Sequence, residues 1–292
     1  MATWHGPPEP TFPRLTLMQC LRLTVRAIGL ILLILISFPV YWLGLALEIA
    51  FPRLGLSTAM IWVFCVVGSR LLGLEVKVEG TPMAHPGARV ANHSTWLDIF
   101  SFRTAAQIYF VAKSEVARWP VVGFIARNTG TMFIARKRTD AKRQEQQFLE
   151  RLKKGDRLCF FPEGTSTDGL RVLPFKSSLF AAFTAPDVAE IAWIQPMTAV
   201  YQPAAHLPDN FYGWWGDMNF AGHVAQVLGR SVAGQVRVIF HPPVQAKTFE
   251  NRKDLAAHCE QAVRAPLDAA MVARNVTVPV GLTPNSANPE AP

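Results

Sequence analysis

Asn92-His93-Ser94-Thr95-Trp96-Leu97-Asp98 follows directly on Ala88-Arg89-Val90-Ala91, and together they read as a strand turning into a helix. The first four residues suit a short strand, and Leu97, Ile99, Phe100 and Phe102 begin a helical pattern. Such a corner puts an imidazole at a strand tip and a carboxylate, five residues on, in the first turn of the next helix. The carboxylate can hold one ring nitrogen and leave the other as a base near neutral pH. Ordinary strand-to-helix corners produce the same spacing, so the pair alone assigns no chemistry.

Around this corner the pattern alternates between strands and helices. Glu75-Val76-Lys77-Val78-Glu79-Gly80 alternates strictly and ends in a turn at Gly80, Thr81 and Pro82. Downstream, Ile108–Ala112, Met132–Ile134, Leu158–Phe161, Ile191–Tyr201 (with Pro196 at a special position) and Gln235–His241 read as strands. Residues 135–157 are the most charged part, and Phe148, Leu149 and Leu152 mark a helix there, closed by Gly155. Its lysines and arginines suit a solvated face as well as a binding one. Met218–Leu228 and Thr248–Ala273 read as further helices, the latter capped by Thr248 or Asn251. The order predicts an α/β domain over residues 74–275 with a mixed central sheet flanked by helices, and a disordered, proline-rich tail over 276–292.

The segment before it, residues 1–73, has another texture. A polar, proline-rich start is followed by Arg14, Arg22 and Arg26, then by an uncharged run from Ala27 to Leu47. As a helix that run reaches roughly 30 Å, the thickness of a bilayer core, with Pro39 placed to kink it. A second uncharged run, Leu54–Ser69, is short for a span. Either the two form a membrane-associated helical hairpin dipping into one leaflet, or one spans and the other is buried. The first run is too long for a signal peptide and lacks a small-residue cleavage site after it. The preceding arginines favour a cytoplasmic N-terminus, and a hairpin would return the rest of the chain to that side.

Composition agrees with a lipid partner. Half of the 292 residues are hydrophobic, and 29 basic against 21 acidic residues leave a net charge of +8. That charge suits an anionic partner, and the aliphatic and aromatic content favours lipid over nucleic acid. Cys20, Cys65, Cys159 and Cys259 show no metal spacing and read as free thiols in a reducing compartment.

Four segments fall in order: Asn92–Asp98, Thr131-Met132-Phe133-Ile134-Ala135-Arg136, Phe161-Pro162-Glu163-Gly164-Thr165-Ser166, and Ile194-Gln195-Pro196-Met197. This series resembles the glycerolipid acyltransferase family, whose hallmark is N-H-x-x-x-x-D, a basic residue after a strand, F-P-E-G-T, then a strand containing proline. The resemblance covers about residues 75–245. It implies that His93 takes a proton from the acceptor hydroxyl while Asp98 orients and charge-stabilises the imidazole. Glu163, Gly164 and Thr165 would serve acceptor binding, their amides also facing a developing oxyanion, with Gly164 supplying positive φ or close approach. Glu163 also suits a buried structural carboxylate bonding loop amides. Arg136 would hold an anionic group, and Lys113, at a strand end, is a second cation of that kind. The acyl donor would be a thioester of acyl carrier protein or coenzyme A, with no metal or redox cofactor.

One departure bears on the acceptor. Lysophosphatidate acyltransferases continue the third motif as F-P-E-G-T-R; here Ser166 takes the arginine's place. Pro174–Phe180 and Tyr212-Gly213-Trp214-Trp215-Gly216-Asp217-Met218 look like the bacterial subgroup that acylates lyso-ornithine lipid, an amino-acid lipid without phosphate. Arg171 or Lys176 is placed to substitute for the missing arginine, and Trp214-Trp215 suits either a lipid interface or a core. The expectation is an inner-membrane enzyme, its catalytic domain on the cytoplasmic side, acylating lyso-ornithine lipid or, alternatively, 1-acylglycerol-3-phosphate. A serine hydrolase fits poorly: no G-x-S-x-G elbow exists, since in Gly164–Gly169 the second glycine comes one residue late. A non-catalytic membrane or nucleic-acid binder leaves the His-Asp pair and the Phe-Pro-Glu-Gly turn without a reason to coincide.

Overall fold

The alternating segments close into one sheet. The computed structural model describes residues 3–134 and 141–278. Two apolar helices, α1 (Leu17–Ala50) and α2 (Leu56–Leu71), precede β1 (Leu74–Glu79) and β2 (Gly87–Ala91). Then follow α3 (Asp98–Ala105), β3 (Tyr109–Lys113), α4 (Val122–Asn128), β4 (Met132–Ile134), α5 (Ala141–Lys153) and β5 (Arg157–Phe160). The last part holds α6 (Pro186–Ala189), β6 (Trp193–Gln202), α7 (Phe220–Arg230), β7 (Gly234–Phe240), β8 (Val244–Gln245) and α8 (Arg252–Ala273).

The sheet runs β1-β7-β6-β2-β5-β3-β4, with β8 added against β6. Strands β2 to β6 are mutually parallel, whereas β7 is antiparallel to β6 and carries β1 parallel to itself. The expected mixed sheet is therefore present. Every residue of β2 is buried, as a central parallel strand covered on both faces requires. One face packs Phe148 and Leu152 of α5 and Leu255, Val263 and Leu267 of α8; the other packs Phe102 of α3 and Val227 and Leu228 of α7. Each such side chain contributes about 1.5–3 kcal/mol by leaving water.

Pro196 sits where β6 changes partners on one edge. Residues 193–194 pair with β8 and 197–202 with β7, while Pro196 itself gives only its carbonyl, to His241 N–H at 3.0 Å. A residue without an N–H costs nothing at that junction.

The N-terminal region departs from expectation at its start. The first helix begins at Leu17, ten residues before the uncharged run, because Thr16 and Gln19 form a capping box. Arg22 and Arg26 are inside the helix and donate to the carbonyls of Gly229, Leu228 and Ser231 at the end of α7 (2.9, 3.0 and 2.7 Å), where cations complement the helix dipole. Pro39 does not end α1. This helix is long and apolar enough to cross a membrane; α2 is shorter. At the far end Glu48 caps α2 through Ser57 N–H (2.9 Å) and Oγ (2.6 Å), and Phe38 and Tyr41 pack with Phe64 of α2 and Phe124 of α4. The polar, proline-rich start is also packed on the domain. Phe12 meets Phe211 edge-on at 5.7 Å, and Trp4 is buried. At the other terminus Val276 and Val278 still pack on the core, past the expected boundary; residues 279–292 lie outside those described.

Candidate active site

The carboxyl ends of β2 and β5 lie side by side, and both long motifs start there. After β2 ends, the Asn92 side chain continues the pairing: its Oδ1 accepts from Ala199 N–H (2.8 Å) and its Nδ2 donates to Ala199 O (2.9 Å). The amide thus imitates one more residue of parallel strand, and the chain can turn while staying fastened to β6.

That turn brings the histidine and the aspartate together. Asp98 is fully buried at the start of α3, and its Oδ2 accepts from His93 Nδ1 (2.7 Å), Ser94 N–H (2.9 Å) and Thr95 N–H (3.1 Å). Its Oδ1 accepts from Tyr201 O–H at 2.8 Å, and Tyr201 in turn meets Ser101 Oγ at 3.0 Å. An acceptor at Nδ1 assigns the proton to that nitrogen and leaves the Nε2 lone pair free. The His93 side chain is one quarter exposed, and its ring stacks on Phe161 with centroids 4.2 Å apart. The arrangement is a base held in one tautomer and one orientation, with its outer nitrogen turned from the carboxylate.

Glu163 lies beneath this pair. Its Oε1 accepts from His93 N–H and its Oε2 from Leu173 N–H, both at 2.7 Å, and it is 1% exposed. Burial pushes its pKa up to about 8, against the pull of those amides downward. Of the two forms expected of Glu163, the contacts are those of a buried carboxylate bonding loop amides, one of them the N–H of His93. Gly164 does adopt positive φ (71°), its N–H bonding Phe161 O at 3.0 Å to close the turn. Thr165 is partly exposed beside it and accepts the N–H of Trp4 at 3.4 Å. Lys113 ends β3, the strand beyond β5, on the same edge of the sheet. Arg136 lies outside the described residues.

Beyond the turn, Thr167 returns to the catalytic strand, giving N–H (2.9 Å) and O–H (3.2 Å) to His93 O. Ser94 is fully buried and its Oγ lies 3.4 Å from Asn92 Nδ2, which removes it as a nucleophile. Trp96 donates from Nε1 to His223 Nδ1 at 2.9 Å; burial lowers the His223 pKa to about 4, so this imidazole stays neutral and gives its other N–H to Phe211 O. The two neighbouring tryptophans divide: Trp215 is buried against Trp4, while Trp214 meets Trp119 edge-on, 6.1 Å between centroids, and Trp119 is 40% exposed.

Sequence reasoning missed Asn92, Tyr201 and Trp4. Tyr201 left one signal, since a tyrosine ending a buried strand needs a partner for its hydroxyl.

A histidine paired with a buried carboxylate at the carboxyl edge of a mixed sheet can take a proton from an attacking hydroxyl, as acyl transfer requires. The acyltransferase family model matches residues 75–198. The lyso-ornithine lipid O-acyltransferase of Rhodobacter capsulatus is 49% identical over 209 residues, which is 72% of this chain and 76% of the relative. That of Brucella abortus is 36% identical over 221 residues, 71% of this chain and 81% of the relative. The crystal structure of the 1-acyl-sn-glycerophosphate acyltransferase PlsC from Thermotoga maritima shares the fold, with a TM-score of 0.59 at 21% identity, covering 87% of this chain and 98% of that one. The chain belongs to the acyltransferase family.

Proposed function

We propose that this protein transfers a fatty acyl group from a thioester of acyl carrier protein or coenzyme A to the hydroxyl of lyso-ornithine lipid. The observation that carries the chemistry is the His93–Asp98 pair, with no hydrogen bond on Nε2 among the described residues. His93 Nε2 takes the hydroxyl proton as the acceptor oxygen attacks the thioester carbonyl. The C–S bond breaks, and the same proton leaves on the departing thiolate sulfur. A thioester is already activated, so no acyl-enzyme is required. In the Gly164–Thr165 turn the Gly164 N–H is held by Phe161 O, which leaves the Thr165 amide to face the oxyanion, and Lys113 and Arg136 are the cations that would meet anionic groups of donor or acceptor.

The choice of acceptor rests on the names of relatives that match most of the chain and on Ser166, which replaces the arginine expected of a phosphate-binding third motif. We further propose that α1 and α2 seat the enzyme on the cytoplasmic side of the inner membrane without crossing it. Arg22 near one end of α1 is tied to α7, and Tyr41 near the other donates to Asn128 O at the end of α4. These points are roughly 28 Å apart along the helix. A helix fastened at both ends to one domain lies along it, and Leu21, Ile28, Leu35 and Leu43 remain exposed on its outer side for lipid.

The test is transfer of labelled acyl thioester by purified membranes offered lyso-ornithine lipid and lysophosphatidate separately. Ester formation on the amino-acid lipid is expected. Transfer to lysophosphatidate alone would replace this reading with 1-acyl-sn-glycerol-3-phosphate acylation.

A further inference from the structure

Outside the His93–Asp98 pair, a second charged couple lies on the loop that Thr167 fastens to His93 O. Asp168 is fully buried, and Arg171 sets Nε 3.2 Å from each of its oxygens and Nη2 2.8 Å from Oδ2. The guanidinium is 5.3 Å from the centre of the Trp4 ring. Trp4 comes from the far N-terminal segment, is 6% exposed, and rests on Trp215 with centroids 6.4 Å apart. That segment is fastened across the domain: Trp215 Nε1 donates to Pro7 O (3.0 Å) and Arg230 Nη2 to Pro13 O (2.6 Å). The loop bearing Asp168 and Arg171 is joined to the catalytic strand through Thr167 and His93 O, and Thr167 O–H also lies 3.4 Å from Arg171 O. Two of the three guanidinium nitrogens are thus spent on Asp168, and among the described residues Nη1 has no hydrogen bond.

We propose that Arg171, fixed between Asp168 and Trp4, selects the acceptor by binding the carboxylate of its amino-acid head group through Nη1. The proposal rests on the lyso-ornithine lipid reading above. Ornithine acylated on its α-amine carries one carboxylate and one ammonium, with no net charge. The Arg171–Asp168 couple is likewise neutral overall. A single carboxylate needs one directed, charge-assisted bond, which Nη1 can give. A phosphate monoester with two charges needs net positive field, and here the Asp168 carboxylate cancels most of it within one guanidinium's width. With Nε and Nη2 held by Asp168 and the Trp4 ring 5.3 Å away, the guanidinium is fixed between the two, so under this proposal the N-terminal segment becomes part of the specificity site.

Three variants and one altered acceptor test this in purified full-length protein with vesicles containing lyso-ornithine lipid. Arg171→Lys keeps the charge and loses the fork. Trp4→Ala removes the stacking ring. Gly6→Val moves it indirectly, because a Cβ at Gly6 would stand 2.2 Å from Trp4 Cη2. Each is expected to raise KM for lyso-ornithine lipid about 10- to 100-fold, the worth of one charge-assisted hydrogen bond, with kcat nearly unchanged. Wild-type protein is expected to show the same rise with the methyl ester of the acceptor, and Arg171→Lys is expected to add no further loss on that ester. If Arg171→Lys weakens native and esterified acceptors equally, or changes neither, the arginine is structural and the proposal fails. Wild-type protein that acylates only lysophosphatidate overturns the underlying reading instead, and does so without any variant.

Discussion

His93 and Asp98 divide one task between an exposed and a buried group, and their loss should separate accordingly. His93→Ala removes the base from a partly exposed position, so activity should fall about 10²–10⁴-fold while thermal unfolding stays close to wild type. Asp98→Asn should lower turnover by a similar factor and also lower the melting temperature. Its oxygens satisfy two buried amides, an imidazole and a tyrosine hydroxyl, and an amide group cannot accept from all four. Glu163 adds a pH dependence. Its folded pKa, about 8, stands above the ordinary 4.5, so between those values the folded protein retains a proton that the unfolded chain releases. Its contribution to stability therefore declines as pH rises from about 5 to 8. Chemical denaturation of Glu163→Gln across that range should show a flatter profile than wild type; an unchanged slope would mean that Glu163 titrates normally.

At the scale of elements, the hairpin depends on close approach of its helices. A Cβ at Gly44 would lie 2.8 Å from Ser57 N, beside the Glu48 cap of α2. Gly44→Leu should push the helices apart and cost about 1–3 kcal/mol, visible as faster proteolysis of residues 51–55 in detergent. What was legible in the sequence at this scale was local. The strands β1, β2 and β4, the strand carrying Pro196, the Asn251 cap of α8 and the positive φ of Gly164 all follow from neighbours along the chain. The start of α1 is not legible in this way: the uncharged run marks only part of the helix, and Arg22 and Arg26 are helical because α7 offers them carbonyls. Asn92 with Ala199 and Asp98 with Tyr201 join residues 107 and 103 apart, and no periodicity announces such pairs. Glu163 illustrates the same limit. Its motif marked it as functional, but only the fold shows that both oxygens face main chain.

For the molecule as a whole, the positive charge and the apolar outer side of α1 suit membrane association. Its topology can be read at Leu54, which is 49% exposed between α1 and α2. In a Cys20→Ser background, where the other three cysteines are buried, Leu54→Cys should react with a lipid-soluble maleimide. It should resist an impermeant one applied from the periplasmic side. Impermeant labelling from that side would mean that α1 crosses the bilayer.

The bonds of Arg22 and Arg26 to α7 also set an order of assembly. These arginines and Trp4 leave the ribosome first, yet their partners at Thr165, Arg171, Trp215 and Leu228–Ser231 are synthesised some 160–210 residues later. During that interval α1 lacks the carbonyls of α7 that bind its arginines. The N-terminal segment can therefore take its place on the domain only after nearly all of the chain that holds it has been made.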